Sequence, residues 1–445
     1  MGPSWYWMPD VVERFFNSFG KKVSDCYTLR RLDPSYRIYW QHSETDIPAD
    51  YEALKKLFEN IEPGSSVQLN KFITEAAYKY RVSINKLVYK PGQSLIEFLD
   101  RKLLIGIFKS DVFNSVKNHV SKYFKSLELQ QLMEFPVLFL GALPEKIPAL
   151  YSFMNYADIV GGTWYPQGGM YSIVKAMHNL AVEWGVEFYF NQNVTEIIIE
   201  KSSAKKVLTQ TNNYFDVDAV IGGADYYHIE NALLPEAYRS YSENYWNKRV
   251  MAPGCLIYYV GLNKRLKNLS HHSLFFDTSF EAHGKEIYET KKWPEAPLFY
   301  VSATSVTDNT VAPEGCENLF FLIPVASGLT NDDEELRERY FEMIVNRMEL
   351  RTGQDIRDNI VYKKTFAHSD FVNEYNAFKG NAYGLANTLL QTAIFKPSCR
   401  GKKVNNLFYT GHLTVPGPGV PPALISGEVV AKEVLKNFGN GRISA

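Results

Sequence analysis

At 445 residues the chain is too long for a single hydrophobic core, so two or more lobes are expected. Its 48 Lys and Arg against 49 Asp and Glu leave no overall basic field, which excludes a nucleic-acid binder recruited by net charge. Hydrophobic residues make up 45%, and 29 Tyr with 28 Phe give more aromatic surface than packing alone needs, a composition suited to a large apolar ligand.

The four cysteines, Cys26, Cys255, Cys316 and Cys399, lie far apart without a C-x-x-C pair, which argues against a zinc site, a redox dithiol or a disulfide scaffold. A reducing, cytoplasmic compartment fits them. The apolar run FPVLFLGAL, starting at Phe135, is about half of the ~18 residues a spanning helix needs, so no membrane span is expected. The N-terminal MGPSWYWMPDVVERFF has no basic n-region, and Pro3 and Tyr6 do not suit a myristoylation signal.

In chain order, residues 1–20 read as an aromatic loop followed by a short helix. Residues 51–149 are mostly helical and contain a basic, apolar segment: between Lys79 and Lys125 there are ten Lys or Arg and three acidic residues. Within it, Ser94 and Glu97 form an S-x-x-E capping box ahead of SLIEFLDRKLLIGIF. Two readings stay open for that helix: a core helix, or one lying in a bilayer interface with its basic flanks against anionic head groups.

From Tyr165 the period changes. QGGMYSIVKAMHNLAVEWG predicts a glycine turn and a helix, Met170–Trp184, stopped by Gly185. VEFYF, VTEIIIE, KKVLTQT and a buried strand AVIGG ending at Asp225 follow, with a helix after it. Residues 241–380 mix the strands GCLIYYVGL, PLFYVSATS and NLFFLIPVA with the charged helix NDDEELRERYFEMIVNRMEL. The tail is a strand, NLFYTG, then the loop VPGPGVPPALISG running into a helix from about Pro421 to Lys436.

A strand entering a glycine loop and then a helix start brings backbone close to a ligand and aims free N–H groups and the positive end of the helix dipole at it. Gly417 and Gly419 leave no side chain in the way, and proline at the helix start sacrifices no hydrogen bond. Alone, this loop is equally consistent with an ordinary tight turn. The combination is more specific: glycine turn, helix, strand pair, strand ending in GGAD, then strand, Pro/Gly loop and helix.

In that order, and in the segments MGPSWYWMPDVVERFF, LDPSYRIYW, FPVLFLGALPEKIPALYSFMNYADI, GTWYPQGGMYSIVKAM, HHSLFFD, YNAFKGNAYGLANTLLQTA and NLFYTGHLTVPGPGVPPALISGEVVA, the chain resembles the bacterial-type phytoene desaturases of the flavin amine-oxidase-like superfamily over nearly all its length. The resemblance implies an α/β, mixed α+β fold with two parts. Residues 1–20, 150–235 and 395–445 would build a Rossmann-like FAD-binding domain from discontinuous segments. Residues 21–149 and 236–394 would build a substrate-binding domain with a mixed sheet and a helical, membrane-associated part at about 79–149.

It also implies FAD as cofactor, with Gly411, His412, Gly417, Pro418, Gly419 and Val420 facing the flavin. Val194 would offer its backbone to the adenine, with Ala224 and Asp225 closing that side. The family pattern opens with a strand, a G-x-G-x-x-G turn and a helix for the pyrophosphate, which this sequence lacks. The expectation is an N-terminally incomplete, incomplete-Rossmann chain that binds FAD poorly.

The implied activity is desaturation of phytoene towards lycopene, at the inner face of the cell membrane, by a cytoplasmic, peripherally bound monotopic protein. Related desaturation or isomerisation of another polyene, or a non-catalytic remnant, are the alternatives. Aromatic faces suit the cation-like transition state of such a reaction, and Trp5, Tyr6, Trp7, Trp164 and Tyr165 are the substrate-tunnel candidates; core packing is the competing role for each. No acid or base stands out: Asp10 and Glu13 read as helix-surface charge, and His271–His272 as strand neighbours facing opposite sides rather than a metal pair.

Overall fold

The structure is a computed structural model and describes residues 4–94, Glu97 and 114–439. Fourteen strands stand among the described residues. They are β1 (Leu29–Arg31), β2 (Tyr36–Trp40), β3 (Glu44–Ile47), β4 (Trp164–Pro166), β5 (Val194–Glu200), β6 (Ser203–Thr209) and β7 (Tyr214–Asp216). In the second half come β8 (Val220–Gly222), β9 (Gly254–Leu262), β10 (His272–Phe276), β11 (Phe299–Ser302), β12 (Glu317–Val325), β13 (Ile360–Phe366) and β14 (Leu407–Tyr409).

Seven of them form one mixed sheet in the order β13-β9-β12-β11-β10-β2-β3, in which only the β10–β2 pair is parallel. Period-two patterning decides its two faces. From β9 and β12, Leu256, Tyr258, Val260, Leu319, Phe321 and Ile323 enter one cluster, while Cys255, Ile257 and Leu322 enter the other.

The first face is covered by the helix Glu334–Thr352, whose Tyr340, Phe341, Ile344, Val345 and Met348 recur at helical spacing. Its Asp333 cap accepts a hydrogen bond from Leu336 N (2.9 Å), and Gly353 ends it at φ 64°. Against the second face lie the helices Tyr51–Ile61, Ser65–Val82, Val116–Val120 and Leu127–Glu134 and the 3₁₀ turn Phe135–Leu140, which send in Leu54, Phe58, Leu69, Phe72 and Phe135. The predicted helical character of 51–149 holds for the described part. Glu97 accepts from Ser94 N (3.0 Å), one half of the expected capping box; the rest of that segment, residues 95–96 and 98–113, lies outside the described residues. Among the described residues no helix is long and apolar enough to cross a membrane.

The remaining strands make three small sheets: β1–β4, the meander β5-β6-β7, and a parallel pair β14–β8. The predicted helices at Met170 and Pro421 are present as Tyr171–Glu183 and Val420–Phe438. Two expectations are corrected. VEFYF is not a strand, because residues 186–190 find no pairing partner among the described residues, and Phe188, Tyr189 and Phe190 are exposed. β8 is not a buried strand: β14 is its sole described neighbour, and Ile221 is 52% exposed.

Where the 3₁₀ turn 135–140 ends, Gly141 adopts φ 94° and an added Cβ would stand 2.7 Å from Ala252 Cα and 2.9 Å from Ala386 Cα. Neither backbone can retreat cheaply. Gly141→Ala is therefore expected to destabilise the fold by about 2–4 kcal/mol, combining left-handed strain with overpacking, as read by urea unfolding.

Candidate functional site

The C-terminal ends of β8 and β14 open on the same side, because the two strands are parallel and in register from Val220–Leu407 to Gly222–Tyr409. Ala224 and Asp225 follow β8; Gly411 and His412 follow β14, with Thr410 N donating to Gly222 O (2.9 Å). The crevice beyond the carboxyl ends of parallel strands is where this class of sheet receives ligands. Gly411 (φ 100°) has open space where a side chain would be, and its N–H donates to Ser426 Oγ (3.1 Å) on the following helix.

The loop then dives. Thr414 Oγ1 donates to Pro397 O (2.7 Å), and Gly417 is buried with φ 139°. An added Cβ at Gly417 would stand 3.3 Å from both Asn387 Oδ1 and Lys396 Nζ. Those two atoms are buried and have no hydrogen-bond partner among the described residues. Burial holds the Lys396 amine down to about 7, and burial with Lys396 nearby lowers His412 to about 4. Pro418, Gly419 and Val420 complete the turn into the helix, whose first turn contains Pro421 and Pro422, so few N–H groups there need partners.

The adenine-side residues are placed differently. Val194 opens β5 half-buried, and Ala224 is exposed. Asp225 is buried and fully engaged: its carboxylate accepts from His228 N (3.2 Å) and Phe378 N (3.0 Å), capping one helix and tying in a distant loop. The glycine turn before Tyr171 is also occupied, since Gly168 N and Tyr165 Oη both donate to Asp308 (2.7 and 3.1 Å).

The five aromatic candidates divide between two sides of an extended segment. Trp5 and Trp7 point to the large sheet, while Tyr6 between them points away, bonded to Tyr27 Oη (2.9 Å) in a cluster with Val12, Phe16 and Ile173. Alternation in extended backbone is the cause. Tyr6 is thus not beside the sheet chamber. Trp164 donates to Gly161 O and packs against Tyr6's cluster, and Tyr165 packs against His271.

Both indole N–H groups converge on one hydroxyl: Trp5 Nε1 and Trp7 Nε1 donate to Thr163 Oγ1 (3.2 and 3.1 Å), which donates in turn to Asp158 Oδ1 (3.2 Å). Thr163 thereby uses its whole hydrogen-bonding capacity. Asp158 also accepts from Tyr36 Oη (2.7 Å), and burial raises its carboxyl to about 6. Trp5 stacks on His272 at 4.4 Å with 4° between planes, and His272 Nδ1 bonds Tyr300 Oη (2.7 Å) while its Nε2 has no partner among the described residues. Burial keeps that imidazole neutral.

Phe135 and Tyr300, both ring neighbours of Trp5, also line a narrow apolar chamber on the sheet, about 50 Å³, with Leu138, Leu274, Phe276 and Leu322. Asp158, Thr163, Lys396 and Asn387 escaped sequence reasoning because each is an isolated polar residue in an apolar or loop context, with no spacing to flag it. His272 was considered only as a metal ligand. Of the two flanking acids, Asp10 accepts from Tyr80 Oη (2.8 Å) and Glu13 from Val23 N (3.1 Å).

The model of the family described as flavin containing amine oxidoreductase matches residues 1–435. The chain belongs to that family. A carotenoid 3,4-desaturase of Haloarcula japonica is 38% identical over 443 residues, 98% of this chain and 88% of the relative. A zeta-carotene-forming phytoene desaturase of Myxococcus xanthus is 29% identical, covering 98% and 84%. Among solved structures, an oxidoreductase from Methanosarcina mazei (TM-score 0.58, 15% identity, covering 97% of this chain and 86% of that one) and a putrescine oxidase triple mutant (0.58, 10%, 98% and 86%) share the fold. The protein is an FAD-dependent oxidoreductase acting on CH–CH bonds, on the carotene-desaturase branch of its family.

The residues present fit the ring end of FAD. Two orphaned buried polar atoms flank Gly417, the space beside Gly411 is open, and a helix starts at Val420. The turn at Gly168 does not fit a phosphate, because Asp308 already fills it.

Asp158 is protonated more readily in the fold than in the unfolded chain, so its contribution to stability falls as pH rises from about 4 through about 6 and stays lost above. Asp158→Asn removes that titration. Thermal melts from pH 4 to 8 are expected to show the variant gaining on the wild type across this window by on the order of 3 kcal/mol, then running parallel.

Proposed function

We propose that the protein is a carotenoid desaturase that introduces double bonds into phytoene towards lycopene. The observation that carries this reading is an apolar sheet chamber whose Phe135 and Tyr300 are ring neighbours of Trp5 in the Trp5–Trp7 pair, with His272, its Nε2 unpartnered among the described residues, stacked on Trp5. A polyene offers nothing to hydrogen-bond, so an apolar, aromatic surface is what positions it. FAD, when bound, supplies the hydride acceptor.

The chain's own residues do the rest. The indole faces of Trp5 and Trp7 stabilise positive charge on the carbon chain, and their orientation is fixed through Thr163 and Asp158. The His272 Nε2 lone pair accepts the proton leaving the neighbouring carbon; burial disfavours the charged ring, so the proton is held only in passing. Side chains such as Leu138 and Phe280 must move to admit a long polyene, since a chamber of about 50 Å³ has room for only a few water molecules.

The 38% identity to a carotenoid 3,4-desaturase, against 29% to a phytoene desaturase, favours a second reading: desaturation near the end of an already conjugated polyene. The basic, apolar stretch between Lys79 and Lys125 supports peripheral docking on an anionic membrane at the cytoplasmic face.

The test is incubation of flavin-loaded protein with anionic vesicles carrying either phytoene or lycopene, followed by chromatography of the products. Serial new double bonds in phytoene are expected; conversion of lycopene alone would select the second reading, and conversion of neither would reject both. His272→Phe keeps the stacking on Trp5 but removes the acceptor nitrogen, so product formation should fall about 100-fold or more with flavin content unchanged. Protein that stays in the supernatant when the vesicles are spun down would contradict membrane docking.

A further inference from the structure

A lysine buried to 96% without an anion is unusual, because transferring an ammonium out of water costs several kcal/mol unless it is paired or neutralised. Lys396 is such a residue, and among the described residues its Nζ has no partner. Asn387 Oδ1, also buried and unpartnered, meets it across Gly417: both atoms lie 3.3 Å from the point a Cβ there would occupy. Glycine at 417 keeps that space free, at a φ of 139° that other residues rarely adopt.

The two atoms are one donor and one acceptor about a common point. Around them Asn387 N donates to Leu140 O (2.7 Å), Lys396 N to Ala393 O (3.2 Å) and the Thr414 hydroxyl to Pro397 O (2.7 Å), while Lys396 Nζ and Asn387 Oδ1 remain for a ligand. The partner that satisfies both is a planar group presenting a carbonyl oxygen next to an N–H, which is an imide edge.

We propose that Lys396 and Asn387 are the recognition pair for the imide edge of the flavin's pyrimidine ring, Lys396 donating to a ring carbonyl and Asn387 Oδ1 accepting the ring N–H. This rests on FAD binding along the 411–420 loop. The charge on Lys396 then favours the electron-rich, reduced ring over the oxidised one, so the pair sets affinity and reduction potential together.

A purely structural lysine would behave oppositely to a ligand-binding one when replaced by methionine. In the FAD-free protein Lys396→Met removes an unpaired buried amine. Its melting temperature should equal or exceed the wild type's, with the advantage largest at or below pH 7, where the wild-type amine is driven to carry charge, and shrinking towards pH 10. FAD affinity, measured by quenching of flavin fluorescence, should nevertheless fall roughly ten- to a hundredfold. The midpoint potential of the bound flavin should drop, and Lys396→Arg should recover part of both. Asn387→Ala should weaken FAD binding without moving the potential as far.

Wild-type affinity and potential in Lys396→Met would overturn the proposal and leave the flavoenzyme reading intact. A lower melting temperature of Lys396→Met without FAD would overturn it in favour of a structural role. Failure of the wild-type chain to bind FAD even at millimolar concentration would overturn it together with the binding mode on which it rests.

Discussion

The arrangement of the site depends on one hydroxyl. Thr163 Oγ1 receives the indole N–H of both Trp5 and Trp7 and passes its own proton to Asp158, which also holds Tyr36 on the large sheet. Two indoles in an apolar setting would otherwise bury unpaired donors, at a cost of roughly 1–3 kcal/mol each. Because the backbone from Trp5 to Trp7 is extended, fixing those rings on one side forces Tyr6 to the other, into the cluster that carries the helix Tyr171–Glu183. The same segment continues into the helix Pro9–Asn17, whose Val11 packs with Val415 and Ile425 and whose Arg14 pairs with Glu428 (2.9 Å). A single short stretch thus couples the aromatic wall, the sheet and the glycine loop.

Three of the buried polar atoms without a partner among the described residues lie at the sites described above. They are His272 Nε2, on the ring stacked on Trp5, and Lys396 Nζ with Asn387 Oδ1 beside Gly417. Glu317 shows such a group settled within the chain: buried at 2% exposure, it accepts from Arg265, from Leu266 N and from Ser305. Where burial and an empty hydrogen-bonding valence coincide, a ligand or a transferred proton is the natural complement.

Much of the fold was legible in the sequence. Near-continuous apolar runs marked β9 and β12 to the residue or nearly so, and the charged run NDDEELRERYFEMIVNRMEL marked the helix Glu334–Thr352, since such patterning is a local signal. VEFYF failed as a strand because a strand exists through its neighbour, which composition does not report. The glycine loop was legible as a turn between a strand and a helix, but Asp225 was not legible as a cap reaching Phe378, 153 residues away. Likewise the tunnel candidates were chosen for residue type, and only tertiary packing separated Trp5 and Trp7 from Tyr6, Trp164 and Tyr165.

That a polyene is oxidised against the Trp5–Trp7 wall is tested most directly by mixing the flavin-loaded protein anaerobically with phytoene in vesicles and following the absorption spectrum through one turnover. The expected result is loss of the oxidised-flavin band matched, mole for mole, by one new conjugated double bond in the polyene. A flavin that stays oxidised in the presence of both phytoene and lycopene, while remaining bound, would contradict it.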